Sequence, residues 1–132
     1  YSKILAAIQC NIPIITISNE ISEEVCGDAV IYCKPDNIDE MAKNIVLYHH
    51  EWWDGSGYLA GLQGEDIPVE ARIVAIADVF DALVTERVYK PPLSLEQSMN
   101  MMLAERGTHF DSDLLDVFAV NRHLAYWIAT KA

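Results

Sequence analysis

Two spacings of apolar residues divide this chain. The stretch "IPIITIS", 12 to 18, is a β-branched run and predicts a buried strand. "AVIYC", 29 to 33, predicts a second short strand, which Pro35 closes. Ahead of them Ser2 caps a short helix through Cys10, with Ile4, Leu5 and Ile8 on one face, and Asn11 ends it. Residues 19 to 27 are polar and predict a helical turn ending at Gly27-Asp28. Asp36 or Asn37 then caps "IDEMAKNIVLYHHE", whose Ile38, Met41, Ile45 and Tyr48 or His49 share one side. The order is α-β-β-α.

From residue 52 the spacing becomes helical, interrupted by loops. "WDGSGYLAGLQGEDIP" holds four of the six glycines and predicts a loop. Pro68 sits where a helix start tolerates proline, and "VEARIVAIADVFDALVT" follows as a long helix with a wide apolar face. "KPPLS" is a linker. Ser94 and Gln97 have capping-box spacing for a helix to Arg106, and Gly107 terminates it. One last helix is expected from about Ser112 into "NRHLAYWIATKA". The pattern predicts an α/β N-terminal fragment over residues 1–47, followed by an all-α segment over residues 48–132.

Composition narrows the functions available. The chain has 132 residues and a formal net charge of -11. So acidic a surface repels phosphate backbones and anionic lipid, which argues against nucleic-acid or membrane binding as a main role. A local basic pocket could still hold a nucleotide. Cys10, Cys26 and Cys33 form neither a disulfide framework nor a zinc pattern, and a reducing cytoplasm is the expected location. No apolar run reaches membrane-spanning length.

The stretches "HHEWWDGSGYLAGLQGEDIPVEARIVAIADVFDALVTERVYK" and "GTHFD" resemble the HD-GYP family of metal-dependent phosphodiesterases in order, spacing and length, over roughly residues 48 to 118. The resemblance implies a helical fold, a metal cluster and hydrolysis of cyclic di-GMP. It places His49 and His50 on the paired histidine ligands and Asp78 on a later aspartate ligand. It places Gly57, Tyr58 and Leu59 on the Gly-Tyr-Pro position, and Arg87 and Lys90 where basic residues approach substrate phosphates. Leu59 departs from the family's proline, which would stiffen the loop by fixing φ. The larger departure is the absence of any His-Asp dipeptide in the chain, and with it the upstream ligands of the family.

Residues 4 to 46 resemble something different. "NIPIIT", "EVCGDAVIY" and the helix start "PDNIDEMA" are similar to the Rossmann-like C-terminal domain of a retaining glycosyltransferase. The glutamate by which that family contacts its donor sugar falls on Ala6, so glycosyl transfer is not implied. The chain reads as a chimera of two fragments, with its seam near Leu47-Tyr48.

The local residues support a plainer account of the histidines. Neighbours on a helix point about 100° apart, so one would be buried and hydrogen-bonded and the other surface. The resemblance instead makes both of them ligands. With Asp78 they supply three ligands, enough for one metal but short of a two-metal clamp. Glu51 and Asp54 are further candidates. Mixed histidine and carboxylate ligands suit Fe, Mn, Ni or Zn. The expected cofactor is a divalent transition metal, Fe or Mn, bound weakly or substoichiometrically. Trp52 and Trp53 are expected at a core edge, His109 as a structural residue at a helix start, and Asp81 bonded to a loop. The reading is a partial, inactive HD-GYP-type domain with a cyclic dinucleotide as partner, which self-associates because two strands alone leave open edges. The alternatives are a working phosphohydrolase completed by another chain, and a non-catalytic interaction or sensing module.

Overall fold

The computed structural model describes residues 15–17, 31–33 and 38–131. Strands β1 (Ile15–Ile17) and β2 (Ile31–Cys33) pair in parallel, with Ile15 opposite Ile31 and Ile17 opposite Cys33. The expected first helix, the turn over 19 to 27 and the cap at Asp36 or Asn37 lie outside the described residues, as does most of the α/β fragment.

From residue 38 the described chain is helical. It comprises α1 (Ile38–Tyr48), α2 (Val69–Val84), α3 (Leu95–Ala104), α4 (Ser112–Val120) and α5 (Arg122–Lys131), with a single 3₁₀ turn at Gly64–Asp66. None is long and apolar enough to cross a membrane.

Helix α2 is the centre. Its Ala71, Ala75, Ile76, Phe80, Leu83 and Val84 are buried at the three- and four-residue spacing that keeps one stripe inward. Ile76, Phe80, Leu83 and Val84 meet Met99 and Met102 of α3, Phe110 of the following turn and Leu115 of α4. Phe118 of α4 packs edge-on against Phe80, with centroids 4.9 Å apart. A fully buried phenylalanine or leucine contributes roughly 1.5–3 kcal/mol, so this cluster dominates the helical half. Helix α1 lies against α2, where Asn44 donates to Glu70 at 3.0 Å, but α1 has no buried residue.

The helix ends follow the local chemistry, with some changes of boundary. Pro68 is the N-cap of α2 rather than its first residue. Ser94 and Gln97 form the expected capping box. Helix α3 ends at Ala104, and Gly107 makes the reversal at φ +81°. The single last helix expected from Ser112 is instead two. Asn121 breaks it, turning its amide back to the Val117 carbonyl at 2.8 Å while its backbone N–H caps Phe118.

Candidate metal and nucleotide site

The paired histidines sit where α1 stops. The His49 N–H still bonds Ile45 at 3.0 Å, but that of Glu51 reaches only to Tyr48, so the path tightens after the helix. The predicted helix therefore ends before both histidines, and the 100° divergence of a continuous helix does not apply. Their ring centroids are 3.8 Å apart, tilted by 40°. His49 is half-buried, with Nδ1 2.7 Å from the Ile45 carbonyl. A carbonyl only accepts, so Nδ1 carries the proton and Nε2 is left as the ligating nitrogen. His50 is exposed, and the Tyr58 ring lies 6.2 Å from it.

Tyr58 rides on a loop fastened at three places. At the base, Trp53 and Asp54 donate to the carbonyls of His109 and Thr108 at 3.1 and 2.9 Å. At the turn, Gly55 takes φ +83° and Asp54 accepts from the Ser56 backbone at 2.9 Å. The Ser56 hydroxyl and N–H together hold the Asp54 carboxyl below its usual range. Beneath the loop, Glu51 is 2% exposed and accepts from the Ala60 N–H at 2.5 Å. The two carboxylates considered as extra metal ligands thus serve the loop instead, Asp54 within its turn and Glu51 under its middle.

His109 lies in the turn between α3 and α4 rather than at a helix start. Its ring stacks on Trp52 at 4.3 Å and on Phe110 at 4.2 Å. Burial pushes its pKa down, opposed by the charges of Glu105 and Asp54 and reinforced by His50. Below it Arg72 of α2 donates to Asp111 at 2.7 Å and to the Ile67 carbonyl at 2.9 Å, with Trp53 stacked over the guanidinium. Glu51, Trp53, Arg72, His109 and Asp111 help to line a cavity of about 10 Å³, room for roughly one water and no ligand. The Arg72–Asp111 pair was not singled out in sequence. Its signal was a lone arginine in the otherwise apolar run "ARIVAIA".

The remaining candidates lie on exposed surface. Asp78 is exposed on α2. Arg87 and Lys90 exchange two backbone bonds of 3.1 Å, closing a tight reversal with Val88 and Tyr89 extruded at its tip. The Arg87 guanidinium meets Asp81 at 3.4 Å, the loop contact expected of that aspartate. Among the described residues no three His, Cys, Asp or Glu side chains form a group that could hold a metal ion. Two imidazoles are therefore brought together, and Asp78 does not complete a set with them. A groove of about 670 Å³ lies elsewhere on the described residues, lined by residues of α3 to α5 including Asn100, Arg122 and His123.

Comparison with known proteins identifies the family of the chain. The HD domain family matches residues 30–114, which takes in residues 30–47 as well as the helical segment. A probable cyclic di-GMP phosphodiesterase of Vibrio cholerae serotype O1 is 50% identical over 91 residues, 69% of this chain and 21% of that protein. A 3'3'-cGAMP-specific phosphodiesterase of the same organism is 47% identical over 93 residues, 70% of this chain and 17% of that protein. A cyclic di-GMP phosphodiesterase response regulator of Xanthomonas campestris pv. campestris is 50% identical over 78 residues, 59% of this chain and 21% of that protein. The chain thus spans about a fifth of the length of these relatives. The matches give no support to the glycosyltransferase resemblance of residues 4 to 46. With its family match running over most of the chain, this protein belongs to the HD-domain family.

Proposed function

We propose that this chain is a partial HD-GYP-type phosphodiesterase domain, which binds a cyclic dinucleotide weakly and does not hydrolyse it. One observation carries the reading: the His49 and His50 rings lie 3.8 Å apart with Tyr58 beside His50, on a chain matched by the HD domain. The relatives' named substrates, cyclic di-GMP and 3'3'-cGAMP, give the ligand class. The setting is a reducing cytoplasm, in keeping with the three cysteines.

Two imidazoles suit Fe better than the harder Mn, but a third ligand is not gathered with them. Metal is therefore held weakly and below one equivalent. A divalent metal bound in such a site would lower the pKa of water and polarise a phosphoryl group, but the residues present do not complete that site. What this chain supplies is binding. Arg87 and Lys90 attract phosphate, Arg87 exchanging its exposed Asp81 partner for the ligand. Tyr58 offers a ring for stacking. Attraction equal in ground and transition states does not accelerate chemistry.

The test is incubation of cyclic di-GMP with the purified chain under anaerobic Fe(II) or Mn(II), followed by separation of the products. No turnover is expected. Sustained metal-dependent turnover that disappears in His50→Ala would make this a working phosphodiesterase instead. Turnover appearing only on adding a second chain that carries a His-Asp half would favour the completed-enzyme alternative.

A further inference from the structure

We infer that Glu51 is a positioning residue, the prop that holds the 54–63 loop so that Tyr58 stands beside His50. The inference rests on the reading of His50 and Tyr58 as one ligand site. Glu51 directly follows the histidine pair, yet its carboxyl turns inward and is 2% exposed. Its Oε1 takes the Ala60 N–H at 2.5 Å, bridging nine residues of loop. Its Oε2 is buried and has no hydrogen-bond donor. A carboxyl buried at that cost is retained where its shape and its one strong bond fix something else.

What it fixes is shown by Gly57. A Cβ there would lie 2.9 Å from Glu51 Oε2, 2.8 Å from the Trp52 backbone nitrogen and 3.0 Å from the Glu51 Cα. Glycine at 57 lets the loop lie directly on Glu51, and Glu51 is the floor it lies on. Tyr58 is next in sequence and Ala60 is the bonded end, so the prop grips both sides of the tyrosine. The side chain of Tyr58 itself is 75% exposed and has little packing of its own to fix it. Its place beside His50 therefore depends on the backbone beneath, and the leucine at 59 adds no ring to stiffen that backbone.

The experiment is amide exchange and ring-proton NMR on the whole chain, unaltered and as Glu51→Ala, Glu51→Gln and Gly57→Ala, with cyclic di-GMP titrated into each. Loss of one charge-assisted bond predicts that exchange at Ala60 speeds up roughly tenfold or more in Glu51→Ala. Amides of α2 and α3 should keep their protection. The Overhauser contact between the Tyr58 and His50 rings should vanish. Glu51→Gln, with the same shape and an acceptor oxygen, should restore both. Gly57→Ala leaves Glu51 intact but takes its space, and should loosen Ala60 as Glu51→Ala does, so the idea stays testable even if Glu51→Ala fails to fold. Unchanged Ala60 exchange with the ring contact intact in either alanine variant overturns the inference, as does failure of glutamine to restore it. Nucleotide binding that weakens in Glu51→Ala and returns in Glu51→Gln supports it. If the unaltered chain binds no cyclic di-GMP, the functional reading falls while the exchange and ring measurements still decide the role of Glu51.

Discussion

The Arg72 guanidinium, on the first turn of α2, bonds the Asp111 carboxylate at 2.7 Å, and Asp111 in turn caps α4 through the N–H groups of Asp113 and Leu114. The two residues are far apart in sequence and mostly buried. One aspartate therefore closes an ion pair and starts a helix, and it sits directly after Phe110 of the core. Through this pair the turn carrying His109 is fixed to the helix that carries Asp78.

Removing either partner leaves the other charge buried. Arg72→Met should cost roughly 3–5 kcal/mol by the usual penalty for breaking a buried pair. Asp111→Asn keeps an oxygen for the cap, so it should cost less than Asp111→Ala, which loses about 1 kcal/mol more with the cap. Urea unfolding midpoints give the order. Equal midpoints for Asp111→Asn and Asp111→Ala would show that the capping bond contributes nothing.

His109 gives a pH dependence. Burial against Trp52 and Phe110 lowers its pKa in the folded chain, so the unfolded chain binds the extra proton first. Its contribution to stability is complete above the ordinary histidine pKa of about 6.5 and is lost as pH falls through the lowered folded value. The chain should therefore lose stability on acidification below about pH 6.5, before the Asp54 carboxyl, also lowered, begins to titrate. His109→Phe keeps the stacking and should flatten the profile in that window. A mutant curve parallel to the parent's would remove His109 from the account.

Metal binding follows from the imidazole pair. Elemental analysis of the purified chain should find less than one equivalent of Fe or Mn. The double variant His49→Ala, His50→Ala should carry none above background, while Asp78→Ala should lose little, because Asp78 is not gathered with the histidines. Unchanged metal content in the double variant would place the ion elsewhere.

Much of this was legible in the sequence, and the failures have physical reasons. The core stripe of α2, the Ser94–Gln97 box and the loop around Gly55 and Gly57 follow from local chemistry, which neighbours do not alter. The plainer account of the pair holds, with His49 half-buried and bonded to the Ile45 carbonyl and His50 exposed, but periodicity carried the helix three residues past Tyr48 and so gave no sign that the two rings lie close together. Glu51 looks like a ligand in a one-dimensional reading because it follows two histidines, and only packing shows it under the loop. Arg72 and Asp111 meet across the fold, and no local spacing announces such a pair. Asn121 was passed over inside an apolar run, although its amide competes with the backbone for hydrogen bonds.

Self-association should be visible at micromolar concentration. Val46, Leu47, Leu59, Met101, Val120 and Trp127 are all substantially exposed on the described surface, and burial of such side chains favours a symmetric dimer. Light scattering should report a mass above that of one chain, falling on dilution. A compact monomer across the concentration range would sink the expectation.

Nucleotide binding separates the two basic residues. Arg87 presents a planar fork that can take two phosphate oxygens at once, whereas Lys90 is a point charge. Arg87→Lys should therefore weaken cyclic di-GMP binding nearly as much as Arg87→Ala, about tenfold for one lost charge-assisted bond of roughly 1.5 kcal/mol. Lys90→Arg should be tolerated. Asp81→Asn makes the opposite test. It frees Arg87 from its exposed partner at 3.4 Å, so binding should tighten, most at low salt where the competing pair is strongest. Both positions are exposed and lie outside the core, so thermal midpoints should stay close to the parent's. Calorimetric titration at two salt concentrations checks each arm. If Arg87→Ala binds like the parent while Asp81→Asn is unchanged, the phosphates are held by other residues and the reversal at Val88–Tyr89 has no part in the ligand site.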